Sequence, residues 1–237
     1  HGSLKYACYT LNYINTNPAE NVHRPRLDKI ESDPAHIFTQ EEIERILNRF
    51  KGTHSIYYSF LTAYYTGMRV SEVYVLTWDC IDFDKKTITI NKNVVKKNQF
   101  GLPKRKNITK GHSVGIWYYG DCKNPQSRRT ISVGDTLIEA LKEFKKEQEE
   151  NRKFYGNEYL CYYEKKVVNE ITKREETKLI EAKVELEVPL KESQLVFVKA
   201  NGQFLGTDSP KYAFKVIHYE LGINSRFHDF RDTHATR

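Results

Sequence analysis

A chain of 237 residues has room for one good hydrophobic core, or for one core plus the end of a second small domain. With 39% hydrophobic and 29% charged residues it reads as a globular protein; no run is apolar enough to span a membrane and no secretory signal opens it. The net charge of +7 is unevenly placed: between positions 96 and 129 stand Lys96, Lys97, Lys104, Arg105, Lys106, Lys110, Lys123, Arg128 and Arg129 against one acid, Asp121, a patch suited to a polyanion. The four cysteines, Cys8, Cys80, Cys122 and Cys161, lie far apart without a C-x-x-C pair. That spacing suggests neither a zinc site nor a disulfide framework, and a reduced cytoplasmic setting is the simplest reading.

Residues 1–3, "HGS", read as the scar of an expression tag, and "LKYACYTLNYINTNPAE" as a helix tail ending at Asn17-Pro18. Residues 1–20 are therefore taken as scar plus helix end, and 21–37, with Pro25 and Pro34, as a linker. Thr39 followed by Glu42 is a capping box, and Ile43, Ile46, Leu47 and Phe50 continue a helix from it. A second helix is expected over about Ile56–Tyr65 with Gly67 as its left-handed cap, and a third over about Val70–Leu76. The alternation in "TITI" (87–90) and "RRTISV" (128–133) predicts two paired strands joined by a long basic loop. Asp135 is read as the cap of a helix bearing Leu137, Leu141 and Phe144 and ending at Gly156. The Lys- and Glu-rich stretch 157–194 fits a long hairpin or an inserted helix equally well. Ser209-Pro210 opens a helix through Phe214, Ile217 and Leu221 that closes at Gly222. The expected fold class is α+β, mainly helical with a small antiparallel sheet.

Two cations stand where helices should begin. Arg69 directly follows the Gly67 cap, and His228 and Arg231 stand three apart in "RFHDFRDTHATR", on one helical face, with Asp229 able to cap the first turn. A cation at a helix N-terminus is mildly unfavourable. An ion pair of Arg69 with Glu72, in the order cation before anion, is worth a few tenths of a kcal/mol and does not account for the position. An anion there would account for it, because backbone N–H groups and a planar guanidinium suit an oxyanion or phosphate.

"TGMRVSEVYVLTWDCIDFDKKTITI", then "KNPQSRRTI", and finally "HDFRDTHATR" resemble the successive boxes of the tyrosine recombinase, or phage integrase, catalytic domain. The resemblance runs from about Phe38 onward, so 38–237 is taken as that domain, and the 4–20 helix is similar to the end of the family's core-binding domain. It implies a site-specific recombinase of a phage or other mobile element, acting on double-stranded DNA. It places the catalytic first-box arginine on Arg69, the hairpin lysine on Lys123, and the His-x-x-Arg pair on His228 and Arg231. The position after that arginine, often histidine in relatives, is Asp232 here. The family's remaining histidine or tryptophan and its nucleophilic tyrosine follow that helix, beyond Arg237. None of the sixteen tyrosines present is therefore assigned, and the chain alone is expected not to cleave DNA.

The chemistry implied is attack of a tyrosine hydroxyl on a phosphodiester, giving a 3′-phosphotyrosyl link and a free 5′-hydroxyl, with no metal and no cofactor. Lys96, Lys97, Lys104, Arg105, Lys106, Arg128 and Arg129 are the expected contacts to the DNA backbone, which supply affinity but little sequence choice. The full-length form is expected to assemble as a tetramer on DNA, away from any membrane. Two other readings share much of this: a DNA-binding relative without chemistry, which has no need of all four catalytic groups, and a type IB topoisomerase, which needs no synapsis between protein copies.

Overall fold

The computed structural model describes residues 2–22, 35–98, 115–121, 128–169, 173–186 and 188–236. The chain falls into two units, residues 1–34 and 35–237. In the first, helix α1 (Gly2–Tyr9) is shorter than the expected one. Asn12 adopts a left-handed φ of 51°, and further on the Asn17 side chain accepts the Ala19 N–H at 3.1 Å, so 10–20 is a run of turns.

The first helix of the second unit begins where the capping box predicts. Helix α2 (Gln40–Phe50) starts after Thr39, whose Oγ1 accepts the Glu42 N–H at 3.2 Å while Glu42 accepts the Thr39 N–H at 2.9 Å. Helix α3 (His54–Thr66) ends at Gly67 with φ 60°, as its cap position requires. Helix α4 (Val70–Val73) is a single turn instead of the two expected. Beyond it the backbone is claimed by a distant segment: Val196 N–H bonds Leu76 O at 2.8 Å and Trp78 N–H bonds Gln194 O at 2.9 Å. Tertiary pairing overrides the helical spacing there.

Strands β1 (Ile81–Asp82), β2 (Thr87–Ile90) and β5 (Arg129–Ser132) form a three-stranded antiparallel sheet in which Ile88 faces Ile131 and Ile90 faces Arg129. Part of the expected basic loop between them is itself sheet: β3 (Lys92–Asn98) pairs with β4 (Gly115–Asp121), Val94 opposite Tyr119 and Lys96 opposite Trp117. These lysines lie over aromatic rings, Lys92 on Tyr119, Lys96 on Trp117 and Lys97 on Tyr118, with the amines 4.4, 5.4 and 4.9 Å from the ring centres. Cation–π pairing lets a charged segment sit in a strand that its composition alone would deny it.

The 157–194 stretch is the hairpin of the two alternatives. Strands β6 (Leu160–Val168) and β7 (Glu175–Lys183) pair along nine residues each, and β7 also joins β4. With the short β8 (Lys191–Glu192) they make a five-stranded sheet, order β3-β4-β7-β6-β8. Helix α5 (Asp135–Tyr155) lies between β5 and β6 in the chain; Gly134, not Asp135, is its N-cap, and the Asp135 carboxylate pairs with Lys86 at 2.5 Å. Helix α6 (Pro210–Leu221) starts and stops where expected. Helix α7 (His228–Ala235) closes the described chain. The fold is α+β, with more sheet than foreseen.

One core holds the helices together. Ile43, Ile46, Phe60, Leu137, Leu141, Ile217 and Phe230 are all buried within it. Phe230 of α7 lies 5.0 Å from Phe38 and 5.1 Å from Phe60, ring centre to ring centre, which fixes α7 against α3. Among the described residues no helix is long and apolar enough to cross a membrane.

Candidate active site

The site grows from the C-terminal end of α3, where the last carbonyls have no partner within the helix. Helix α7 supplies partners. Arg231 Nη1 donates to Gly67 O at 2.6 Å, and His234 Nδ1 stands 3.2 Å from Tyr64 O, three residues further along α7 and three residues back along the chain from Gly67. Thr233, buried between them, accepts the Phe38 N–H at 2.9 Å and donates to Asp229 O at 2.7 Å, which ties the start of the unit to α7. Asp229 does not cap its own helix as the sequence suggested. Its carboxylate turns back and accepts the Arg226 N–H at 2.7 Å.

Gly67 is needed twice in this arrangement. Its φ of 60° disfavours side chains, and a Cβ built on it would lie 2.7 Å from His234 Cδ2. Gly67→Ala is therefore expected to destabilise the protein by at least about 1–2 kcal/mol. It should also push α7 away from the carbonyl that holds Arg231. Urea unfolding measures the first effect; an unchanged midpoint would mean that α7 is not seated on Gly67.

Two residues beyond Gly67, Arg69 meets a buried acid. Glu72, with a side chain only 4% exposed, accepts the Arg69 backbone N–H at 3.0 Å and Arg69 Nη1 at 2.9 Å. The ion pair that its sequence order made look too weak to matter is thus present. The N–H expected to await an outside anion is already bonded to Glu72. A third group shares this acid: Arg129 of β5 forks onto the same carboxylate, Nη1 to Oε1 at 3.3 Å and Nη2 to Oε2 at 2.9 Å. Burial by itself would raise the Glu72 carboxyl, but the hydrogen bonds from Arg129 and Arg69 outweigh it and hold the group below its ordinary range. The Arg69 side chain is 47% exposed, and a single guanidinium nitrogen, Nη1, bonds Glu72.

The four expected catalytic residues are placed unequally. Arg69 and Arg231 are anchored on the same three-residue stretch, Gly67–Arg69, one by its backbone position and one by its bond to Gly67 O. His228 is exposed at the first turn of α7, three residues before Arg231 and so on its face. Lys123 lies outside the described residues, as do Lys104, Arg105 and Lys106. Of the remaining expected DNA contacts, Lys96 and Lys97 are on β3, paired with Asp208 at 3.5 Å and Glu176 at 2.6 Å. Arg128 is exposed just before β5, and Arg129 points inward to Glu72. The link between Glu72 and Arg129 is what the sequence did not reveal: the Arg69–Glu72 pair looked too weak to matter, and Arg129 was expected on the DNA backbone. A signal existed: on β5 Arg129 and Ile131 are the two half-buried positions, so the alternation that predicted the strand also put Arg129 on its inner face.

The arrangement offers guanidinium donors and an imidazole at an exposed cation-rich surface, geometry suited to a phosphate. Over 161 residues the chain is 28% identical to the prophage integrase IntR of Escherichia coli, which covers 66% of this chain and 33% of that protein. Over 141 residues it is 33% identical to a tyrosine recombinase XerC-like protein of Caldanaerobacter subterraneus subsp. tengcongensis, covering 58% and 33%. The chain spans about a third of the length of these relatives. In fold it is similar to the Tn1549 transposon integrase, solved in complex with transposon right end DNA, with a TM-score of 0.59 and 19% identity over 100% of this chain and 64% of that one. The sequence profile of the phage integrase family matches residues 36–237, and the chain belongs to that family.

Proposed function

We propose that residues 35–237 are the catalytic domain of a site-specific recombinase of a phage or other mobile element, which cuts and rejoins duplex DNA through a phosphotyrosyl link. The observation that carries the reading is the joint anchoring of Arg69 and Arg231 on the Gly67–Arg69 stretch, with His228 on the face of Arg231. Phosphoryl transfer asks little covalent chemistry of a protein and much positioning of charge. In this reading the two guanidiniums meet the non-bridging oxygens as negative charge builds on them. His228 hydrogen-bonds the same phosphate.

A tyrosine hydroxyl, which family resemblance places after the His-x-x-Arg helix, forms the new P–O bond and passes its proton to His228. The P–O5′ bond breaks, and Lys123 delivers a proton to the leaving 5′-oxygen. Rejoining runs the same steps backward from a 5′-hydroxyl of a partner duplex, so no net bond energy is lost. The lysines and arginines of the 96–128 region grip the DNA backbone. The working form is a tetramer on DNA in the cytoplasm.

The test uses the full-length protein and a nicked suicide duplex carrying its target site, found by tiling the DNA that flanks the gene. A protein–DNA band that survives denaturation is expected. DNA binding without such a band would leave only a binding protein.

A further inference from the structure

Glu72 is unusual in how completely it is shared. A carboxylate offers about four acceptor positions, two on each oxygen. Oε1 takes Arg69 Nη1 at 2.9 Å and Arg129 Nη1 at 3.3 Å; Oε2 takes the Arg69 backbone N–H at 3.0 Å and Arg129 Nη2 at 2.9 Å. Each arginine residue therefore gives one bond to each oxygen, and together the four bonds match the acceptor positions of the carboxylate.

We infer that Arg129 is a positioning residue for Arg69, acting through the carboxylate of Glu72 and not through DNA. The inference rests on the catalytic reading of Arg69. Arg129 is the inner partner, 26% exposed against 47% for Arg69, and its backbone is fixed by the β2–β5 register opposite Ile90. Its two-pronged bond satisfies half of a buried anion. Arg69 then gives Glu72 a single guanidinium N–H and keeps the others for a ligand. Without Arg129 the buried carboxylate must draw on Arg69 alone, and the favourable fork between guanidinium and carboxylate would turn Arg69 inward. The damage would fall on the chemical step, where a displacement of about 1 Å can lower a rate on the order of 10²-fold.

The two roles for Arg129 separate in one set of measurements on the full-length protein. Single-turnover adduct formation on a suicide duplex, at saturating DNA, is compared with DNA affinity and its salt dependence. Arg129→Gln should slow the saturated rate by about tenfold to a hundredfold. Its DNA affinity should stay within about threefold and the slope of log affinity against log salt should not change. In a Glu72→Gln background, Arg129→Gln should slow the rate no further, since the two act through one another. Arg129→Lys keeps the charge and guards against a variant that fails to fold; lacking the fork, it should be slowed as well. A full saturated rate in either folded variant, or a salt slope reduced by about one with the rate intact, would overturn the inference and return Arg129 to the DNA backbone. Arg69→Lys is the control for the underlying reading: if that variant cleaves normally, the catalytic assignment fails, whereas a dead Arg69→Lys beside a fully active Arg129→Gln sinks only the positioning role.

Discussion

Arg231→Lys in the full-length protein is expected to slow covalent adduct formation by about 10²–10³-fold while DNA binding changes only a few-fold. The guanidinium of Arg231 has five donors in a fixed plane. One of them, Nη1, is already bound to Gly67 O at 2.6 Å, and this bond aims the rest of the plane. A lysine at 231 keeps the charge, but its ammonium is a point with rotating donors and cannot bond a backbone carbonyl and two phosphate oxygens in one geometry. Arg69→Lys should behave alike, because Arg69 is aimed by Glu72 in the same manner. A denaturing gel of single-turnover reactions reads both variants, with circular dichroism to show that they fold. Adduct formation at the wild-type rate would remove these residues from the reacting phosphate.

Glu72→Ala should have the largest effect on stability. It leaves Arg69 and Arg129 without the carboxylate that joins them, and losing one partner of a buried pair costs about 3–5 kcal/mol. Arg69 is half exposed and can recover water, so the lower end, about 3 kcal/mol, is expected. The pH dependence follows from the sign of the shift. Burial pushes the Glu72 carboxyl up, the bonds from Arg129 and Arg69 pull it down further, and the folded value lies below the ordinary 4.5. Its contribution is therefore complete above that ordinary value and is lost as the pH falls through the folded one. Urea unfolding at neutral pH and near pH 3 should show the gap between wild type and Glu72→Ala narrowing in acid. A gap that is constant or widens would contradict the charge cluster.

Signals written within a few residues were legible. Thr39 and Glu42 cap each other across three positions, and Gly67 caps α3 from the position next to its last residue, so both could be read without knowing the fold. Signals written across the chain were not. The helix expected to run to Leu76 stops at Val73 because residues 194–196 take its backbone, more than a hundred positions away. The strands at 92–98 and 115–121 were hidden by their lysines, whose place in the sheet is explained only by rings on the opposing strand. The site divides along the same line. Arg69, His228 and Arg231 could be singled out because their motifs are local. The pairing of Arg129 could not be read, because its partner Glu72 lies 57 positions earlier; only the strand's alternation hinted that it faces inward.

We propose that this chain carries the phosphate-activating half of a tyrosine-dependent strand exchange. The most direct measurement is to digest the protein–DNA adduct of the full-length protein and identify the cross-linked residue and the DNA end by mass spectrometry. A tyrosine joined to the 3′-phosphate of the cut strand is expected, with a 5′-hydroxyl on the released fragment. A 5′-linked adduct, a link to another residue type, or a clean nick with no protein attached would contradict it.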